Sequence, residues 1–282
     1  MIERVFVLGA GRAGRGLSRA LRASGVDVVG LHGRRAETTP DRVSAGSIGP
    51  AAATAGTIIV AVRDRQLDDA LGELAQSTLA PGAVVLHASG NAEPAALGAL
   101  RSLGHPSGTF HPLVPIADPA RAAELLRGAW IGLDGDAEAI RAGDRLAERL
   151  GARTLRIPAG RKATYHAAAV IASNFPTVLA VTAAELLVSA GIGEADAWGA
   201  VRALMRGAVA NLDSEVRDRA LTGPIARGDA DTVRKHLEAL AAQPPTRALY
   251  TALSGAAIEI ARRGGTSDEA LGAIIDALGE RG

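Results

Sequence analysis

The chain contains no cysteine, which excludes disulfides and thiolate metal sites and suits a reducing compartment. Aromatic side chains make up only 2% of its 282 residues, so a core has to be built from alanine, valine, leucine and isoleucine with helices packed closely. Neither sign of charge is in surplus. Against 30 Asp and Glu stand 31 Lys and Arg, and the net charge of +1 offers no field for nucleic acid or an anionic membrane. No apolar stretch is expected to attain the roughly 18 residues of a membrane span. The first residues read as a strand with no charged leader or cleavage site, so a cytoplasmic protein is expected. The six histidines, His32, His87, His105, His111, His166 and His236, include no His-x-x-x-His pair, and zinc hydrolysis is unsupported. No Gly-x-Ser-x-Gly elbow of a serine hydrolase occurs either. No metal is expected.

What the chain does have is glycine, 34 residues of it, and the informative ones come early. An apolar strand, Val5-Phe6-Val7-Leu8, runs into Gly9-Ala10-Gly11-Arg12-Ala13-Gly14 and then into a helical pattern, Leu17, Ala20, Leu21. A dinucleotide-binding turn requires this layout. Gly9 permits the tight turn, Gly11 lets backbone approach a pyrophosphate, and Gly14 lets the helix pack on the strand. The helix N-terminus, with Arg12 and Ala13, then faces the diphosphate. A second apolar run, Val26 to Leu31, follows in the expected place. Val62, closing a later strand, joins the candidate cofactor residues.

The end of the second strand reads the cofactor. NAD enzymes usually place Asp or Glu there for the ribose 2′-hydroxyl, whereas a 2′-phosphate needs positive charge. This chain has His32-Gly33-Arg34-Arg35, with no acid and two guanidiniums whose fork geometry suits a phosphate. NADP is the expected cofactor, through Arg34 and Arg35.

Apolar strands and helical patterns alternate through residues 57–62, 67–79, 83–87, 95–103, 108–110, 129–133, 137–150 and 153–157. Such alternation argues for an α/β protein with a doubly wound parallel sheet. After Pro158 the pattern becomes helical, with breaks at 191–193, 222–224, 243–245 and 264–265. The expected organisation is an NADP-binding domain over 1–158 and an all-helical substrate and dimerisation domain over 159–282. Its first helix, Lys162 to about Ala190, is apolar on most sides and is expected to be buried between domains or subunits. A homodimer through these helices is expected, since isologous dimers are the commonest oligomers.

In a doubly wound sheet the ligand lies beyond the carboxyl ends of the strands. Ser89 and Asn91 follow one strand and suit either a substrate carboxylate or a turn that caps the next helix. His111 is held extended by Pro112, which aims its ring. Lys162, His166 and Asn174, at i, i+4 and i+12, are expected on one face of a helix with about 3.6 residues per turn, with Ser173 one position off. Polar groups on an Ala- and Val-rich helix are costly to bury unless they line a cleft, although a snorkelling lysine and a satisfied core histidine fit the same pattern. Arg227 is either a bidentate carboxylate clamp or a partner of Asp229.

The first half of the chain resembles the dinucleotide domain of the ketopantoate reductase and 6-phosphogluconate dehydrogenase-like group. Thr109-Phe110-His111-Pro112-Leu113, Lys162 through Asn174, and Leu221-Thr222-Gly223-Pro224-Ile225-Ala226-Arg227-Gly228-Asp229 together resemble Rossmann-like proteins with a C-terminal domain of unknown function numbered 2520. Relatives of this type reduce 2-ketopantoate, cyclic imines such as pyrroline-5-carboxylate, or the deazaflavin F420. The resemblance implies NADPH-dependent reduction of a small carbonyl or imine substrate, a 2-oxo acid first. It places a proton-donating lysine at Lys162; beside that lysine the catalytic candidates on the helix are His166, the alternative donor, and Asn174, which with Ser173 would orient the substrate. Ser89, His111, Ser173 and Arg227 are left for the substrate. The resembled ketopantoate reductases carry Asn four residues after that lysine, where this chain has His166, which leaves the donor open between Lys162 and His166. A non-catalytic NADP-binding sensor is the alternative of another class.

Overall fold

The structure is a computed structural model that describes residues 3–38, 40–213 and 219–279. Its first part alternates as the pattern requires: β1 (Arg4–Leu8), α1 (Arg12–Ala23), β2 (Asp27–His32), β3 (Val43–Ser44), β4 (Thr57–Val60), α2 (Leu67–Ala75), β5 (Val84–His87) and α3 (Gly98–Ser102). β6 (Ser107–Pro112), α4 (Ala122–Leu126), β7 (Trp130–Gly135), α5 (Ala137–Arg149) and β8 (Arg153–Arg156) complete it. The strands form one sheet in the order β3-β2-β1-β4-β5-β6-β7-β8. Because winding reverses between β1 and β4, a crevice opens beyond their carboxyl ends.

Both faces of the sheet are covered, and the side chains of β1 divide with period two. Val5 and Val7 join Leu17, Leu21, Ile59, Phe110 and Leu133 on one side. Phe6 and Leu8 join Ile58, Val60, Leu71 and Leu97 on the other. α1 buries Leu17, Ala20 and Leu21 at i, i+3 and i+4 and places Arg22 in its last turn, where the helix dipole favours a cation.

Two strands depart from the all-parallel expectation: β7 runs antiparallel to β6, from Gly108 opposite Gly135 to Pro112 opposite Ile131, and β8 runs in the direction of β7. The link between β6 and β7 holds the five-residue α4 and a short 3-10 turn, and the chain returns antiparallel beside β6. β8 then pairs parallel with β7.

The remaining elements are α6 (Lys162–Ser189), α7 (Glu194–Asn211), α8 (Ala230–Ala239), α9 (Pro244–Arg263) and α10 (Asp268–Leu278), with no strand after β8 among the described residues. Compactness divides the chain between Phe175 and Pro176, inside α6, whereas the change of pattern falls at Pro158. The first turns of α6 belong with the sheet through bonds of Lys162 and Tyr165 to strand residues. The second unit has its own core of Val233, Leu237, Ile258, Leu271 and Ile274. Ser267 caps α10 by accepting from the Ala270 amide, and Gly279 ends that helix in the left-handed conformation.

α6 corrects one expectation. It is long and apolar enough to cross a membrane by length and composition, with a mean hydropathy of 1.6 over its best window. Alanines and valines accumulate that value without any run of large apolar side chains. Nor is the helix covered within one chain: Ile171, Phe175 and Val178 are 60%, 51% and 52% exposed.

Candidate active site

The glycine turn joins β1 to α1, and its three glycines are needed for three different reasons. Gly9 has φ 117°, which side chains rarely adopt, and a Cβ there would collide with the Ala61 carbonyl oxygen of the neighbouring strand. A Cβ on Gly14 would strike the Gly9 carbonyl, so α1 approaches the turn only without one. Gly11 is different, because a Cβ there meets nothing within 4 Å. Its open side is the space a diphosphate needs, bordered by exposed Arg12 and Ala13 on the first turn of α1. Val62, half-buried after β4, lies 3.1 Å from the position of a Gly9 Cβ and forms the wall of the turn. The residues present fit a dinucleotide.

After β2, Arg34 and Arg35 are exposed and hold no ion pair among the described residues. The acids that follow them are engaged elsewhere. Arg15 of α1 donates to Asp41 at 2.9 Å and to Glu37 at 2.6 Å, and its Nε reaches the Ala10 carbonyl at 2.8 Å. Arg19 adds bonds of 2.6 and 3.0 Å to Asp41. Hydrogen bonding from Arg19 holds the Asp41 carboxyl below its ordinary pKa, and Arg15 does the same for Glu37. The Arg34 and Arg35 guanidiniums are thus not neutralised by these acids. His32 is buried, and its ring bonds Ser44 at 3.0 Å.

A second group of polar side chains gathers at the carboxyl ends of β5 and β6 against the first turns of α6. Lys162 is 0% exposed. Its Nζ donates to the Ser89 carbonyl at 2.8 Å and to Thr109 Oγ1 at 3.3 Å, and it has no ion pair among the described residues. Burial lowers its pKa to about 8 against the pull of Asp134, Glu93 and Asp64. Lys162 and Lys235 are the chain's only lysines, every other cationic side chain being arginine. Among the described residues the one fully buried cation thus has the type that gives up its proton, which a guanidinium does not.

Beside it, the Tyr165 hydroxyl lies 2.8 Å from His111 Nδ1. Burial raises the phenol's pKa, so Tyr165 donates. Burial and then Lys162 lower His111 to about 4, so its Nδ1 accepts and its hydrogen sits on Nε2. The His166 ring lies edge-on to His111 with centroids 5.9 Å apart, and His166 Nδ1 is buried with no hydrogen-bond partner among the described residues. Two glycines, one in the loop after β5 and one in β7, admit these rings. A Cβ on Gly90 would overlap His166 Nδ1 and lie 2.8 Å from His111 Nε2. A Cβ on Gly132 of β7 would overlap the Tyr165 hydroxyl. His87, below Thr109, is also neutral, at about 4, through burial and the nearby Lys162.

The structure brings Lys162, His166, His111 and Ser89 together and leaves the other candidates apart. Ser89 serves through its carbonyl, while its hydroxyl accepts from the Asn91 and Ala92 amides at 3.2 and 2.9 Å, closing the turn. Ser173 bonds back to Ala169 at 2.8 Å, and Asn174 is exposed. Twelve residues of helix put Asn174 about 18 Å along the axis from Lys162 and about 120° around it, so it does not share the face expected of it and lies beyond the reach of one small substrate. Arg227 belongs to the second unit and is exposed, while Asp229 caps α8 through Thr232 rather than engaging it. Three residues absent from the candidates belong to the cluster: Tyr165, Thr109 and His87. The signals for two were available, Tyr165 at i+3 from Lys162 and Thr109 two residues before His111, on one face of β6.

The sheet order and glycine turn define a dinucleotide-binding α/β protein of the Rossmann class. Residues 129–257 match the family described as domain of unknown function DUF2520, and the chain is a Rossmann-like protein carrying that domain. No curated protein matches the chain. Among solved structures, a Bacteroides fragilis protein described as a proposed NADP oxidoreductase is 20% identical, with a TM-score of 0.73 over 92% of this chain and 98% of that one. A protein from Thermotoga maritima is 24% identical, with a TM-score of 0.71 over 93% and 99%. The pyrroline carboxylate reductase of Plasmodium falciparum, with NADP bound, is 12% identical, with a TM-score of 0.62 over 97% and 98%. At these identities the likeness is one of fold.

Proposed function

We propose that this chain is an NADPH-dependent reductase of a small substrate whose carbonyl or imine stands next to a carboxylate, a 2-oxo acid such as ketopantoate being the first choice. The observation that carries the reading is Lys162: a fully buried ammonium without an ion pair, at the carboxyl ends of β5 and β6, with its pKa lowered to about 8. A charge buried in this way is costly unless an anion or a developing negative charge meets it. A cofactor-binding sensor has no use for that arrangement.

When bound, NADPH supplies a hydride to the substrate carbon. The protein's part is to hold and to protonate. Gly9, Gly11 and Gly14 shape the turn for the diphosphate, and Arg34 and Arg35 offer paired donors to the 2′-phosphate. Lys162 Nζ gives a proton to the oxygen or nitrogen that becomes hydroxyl or amine, and its remaining hydrogens stay on the Ser89 carbonyl and Thr109. Tyr165 and His111 present a fixed donor, the His111 Nε2 hydrogen, beside that centre.

A second reading, reduction of a cyclic imine, is favoured by the likeness in fold to a pyrroline carboxylate reductase. A spectrophotometric screen of NADPH consumption against 2-oxo acids, cyclic imines and F420 separates the readings, with Lys162→Ala as control. Consumption with no member of the panel would end both. We also propose a cytoplasmic homodimer, with the exposed apolar side chains of α6 covered by the second copy.

A further inference from the structure

Lys162, Thr109 and His87 form a line of polar groups that are 0%, 1% and 0% exposed. Lys162 Nζ lies 3.3 Å from Thr109 Oγ1, which lies 3.3 Å from His87 Nε2. Hydrogen-bond chemistry gives the line a direction. An ammonium only donates, so the Thr109 oxygen accepts from Lys162, and its own hydrogen turns to His87 Nε2. His87 is then the tautomer with its hydrogen on Nδ1, an atom buried without a well-formed partner that the Glu93 backbone favours only weakly. Packing alone would be served better at that place by a leucine.

We propose that Thr109 and His87 are positioning residues for Lys162: together they hold Nζ in place and sustain its charged form where no carboxylate touches it. The proposal rests on the reading of Lys162 as the proton donor. Other groups face the ammonium and are accounted for. Asp134 of β7, Glu93 after β5 and Asp64 after β4 favour the charge from a distance. His111 is neutral, His166 lies beyond it on α6, and the Tyr165 ring centroid is 6.0 Å from Nζ. None of these replaces the hydrogen bond that Thr109 accepts.

The two lysines make the test direct, because protein enriched with ¹³C at lysine Cε gives one resonance for Lys162 and one for Lys235, an internal reference. In the wild type the Lys162 resonance should titrate near pH 8. Thr109→Val, which removes one of its two acceptors, should lower that midpoint by about one pH unit, tenfold in ionisation constant. Thr109→Ser should restore it, and His87→Leu should lower it by a smaller amount. A folded Thr109→Val protein with an unmoved midpoint overturns the proposal. Should that variant not fold, an unmoved midpoint in His87→Leu does so instead. An unmoved midpoint in a protein that still consumes NADPH with a panel substrate removes the positioning role alone. A lowered midpoint in a protein inert toward the whole panel supports the positioning and removes the reductase reading alone.

Discussion

Gly11→Ala should separate folding from cofactor binding. The backbone at Gly11 is extended, with φ −77° and ψ −176°, a conformation alanine adopts freely, and a Cβ there meets nothing within 4 Å. The folded state therefore gains no clash, while the unfolded chain loses freedom, an effect of about 0.4–1 kcal/mol in favour of folding. For a chain of this size that raises the Tm by roughly 1–4 °C. The methyl group nevertheless enters the space assigned to the diphosphate, and NADPH affinity should fall about tenfold or more, equivalent to about 1.4 kcal/mol. Gly14→Ala provides the contrast, since its Cβ strikes the Gly9 carbonyl and the protein should lose stability before binding is tested. Differential scanning calorimetry and a fluorescence titration with NADPH measure both effects. A stable Gly11→Ala protein that binds NADPH as well as the wild type would show that the diphosphate does not lie over this turn.

Arg34→Ala combined with Arg35→Ala should abolish a preference for NADPH over NADH on the order of tenfold, and equal affinities for both cofactors in the wild type would refute the phosphate assignment. Lys162→Ala should lower turnover about 10²–10⁴-fold with NADPH affinity nearly intact. Because the lysine acts as an acid, wild-type kcat/KM should fall as pH rises through about 8, and a rate that climbs there would exclude the role. His87 and His111 have folded pKa values near 4, below the 6.5 of a free imidazole, so the unfolded chain binds more protons between these values. The stability they contribute is complete above pH 6.5 and is lost on acidification toward 4, which Tm measured against pH will show, with a shallower slope expected in His87→Leu. Light scattering should give the mass of two chains, and a monomer at micromolar concentration would refute the dimer.

The glycine turn and most strands were legible because short-range rules decide them: an apolar run, a turn that forbids side chains, and a helix with leucines at i and i+4. β3 was not, since its two residues, Val43 and Ser44, offer no period to read. The reversed direction of β7 was hidden for another reason. The apolar pattern of Trp130 to Leu133 does not encode direction, and neither does the link: five-residue helices join both the parallel pair β5 and β6 and the antiparallel pair β6 and β7. Lys162 and His166 stood out as costly residues on an apolar helix, and His111 as a ring aimed by the following proline. Asn174 does not belong with them: at i+12 it lies about 120° around the helix from Lys162 and about 18 Å along it. Thr109 and His87 looked like ordinary strand residues. Their importance depends on Lys162, more than 50 residues away in the chain, reaching between two strands to meet them.

Gly90 and Gly132 have a consequence for how the chain tolerates change in length. Each is a socket of one side chain's width, and consecutive residues of α6, Tyr165 and His166, fill the two. Together they act as a gauge. The helix seats only when the link from Arg156 to Lys162 delivers it with the right rotation and advance, and a single inserted or deleted residue between them alters the span over which the link must do so. Loops at a protein surface usually absorb such changes, but residues 157–161 should not, and deletion scanning should find this short link as intolerant as the glycine turn itself.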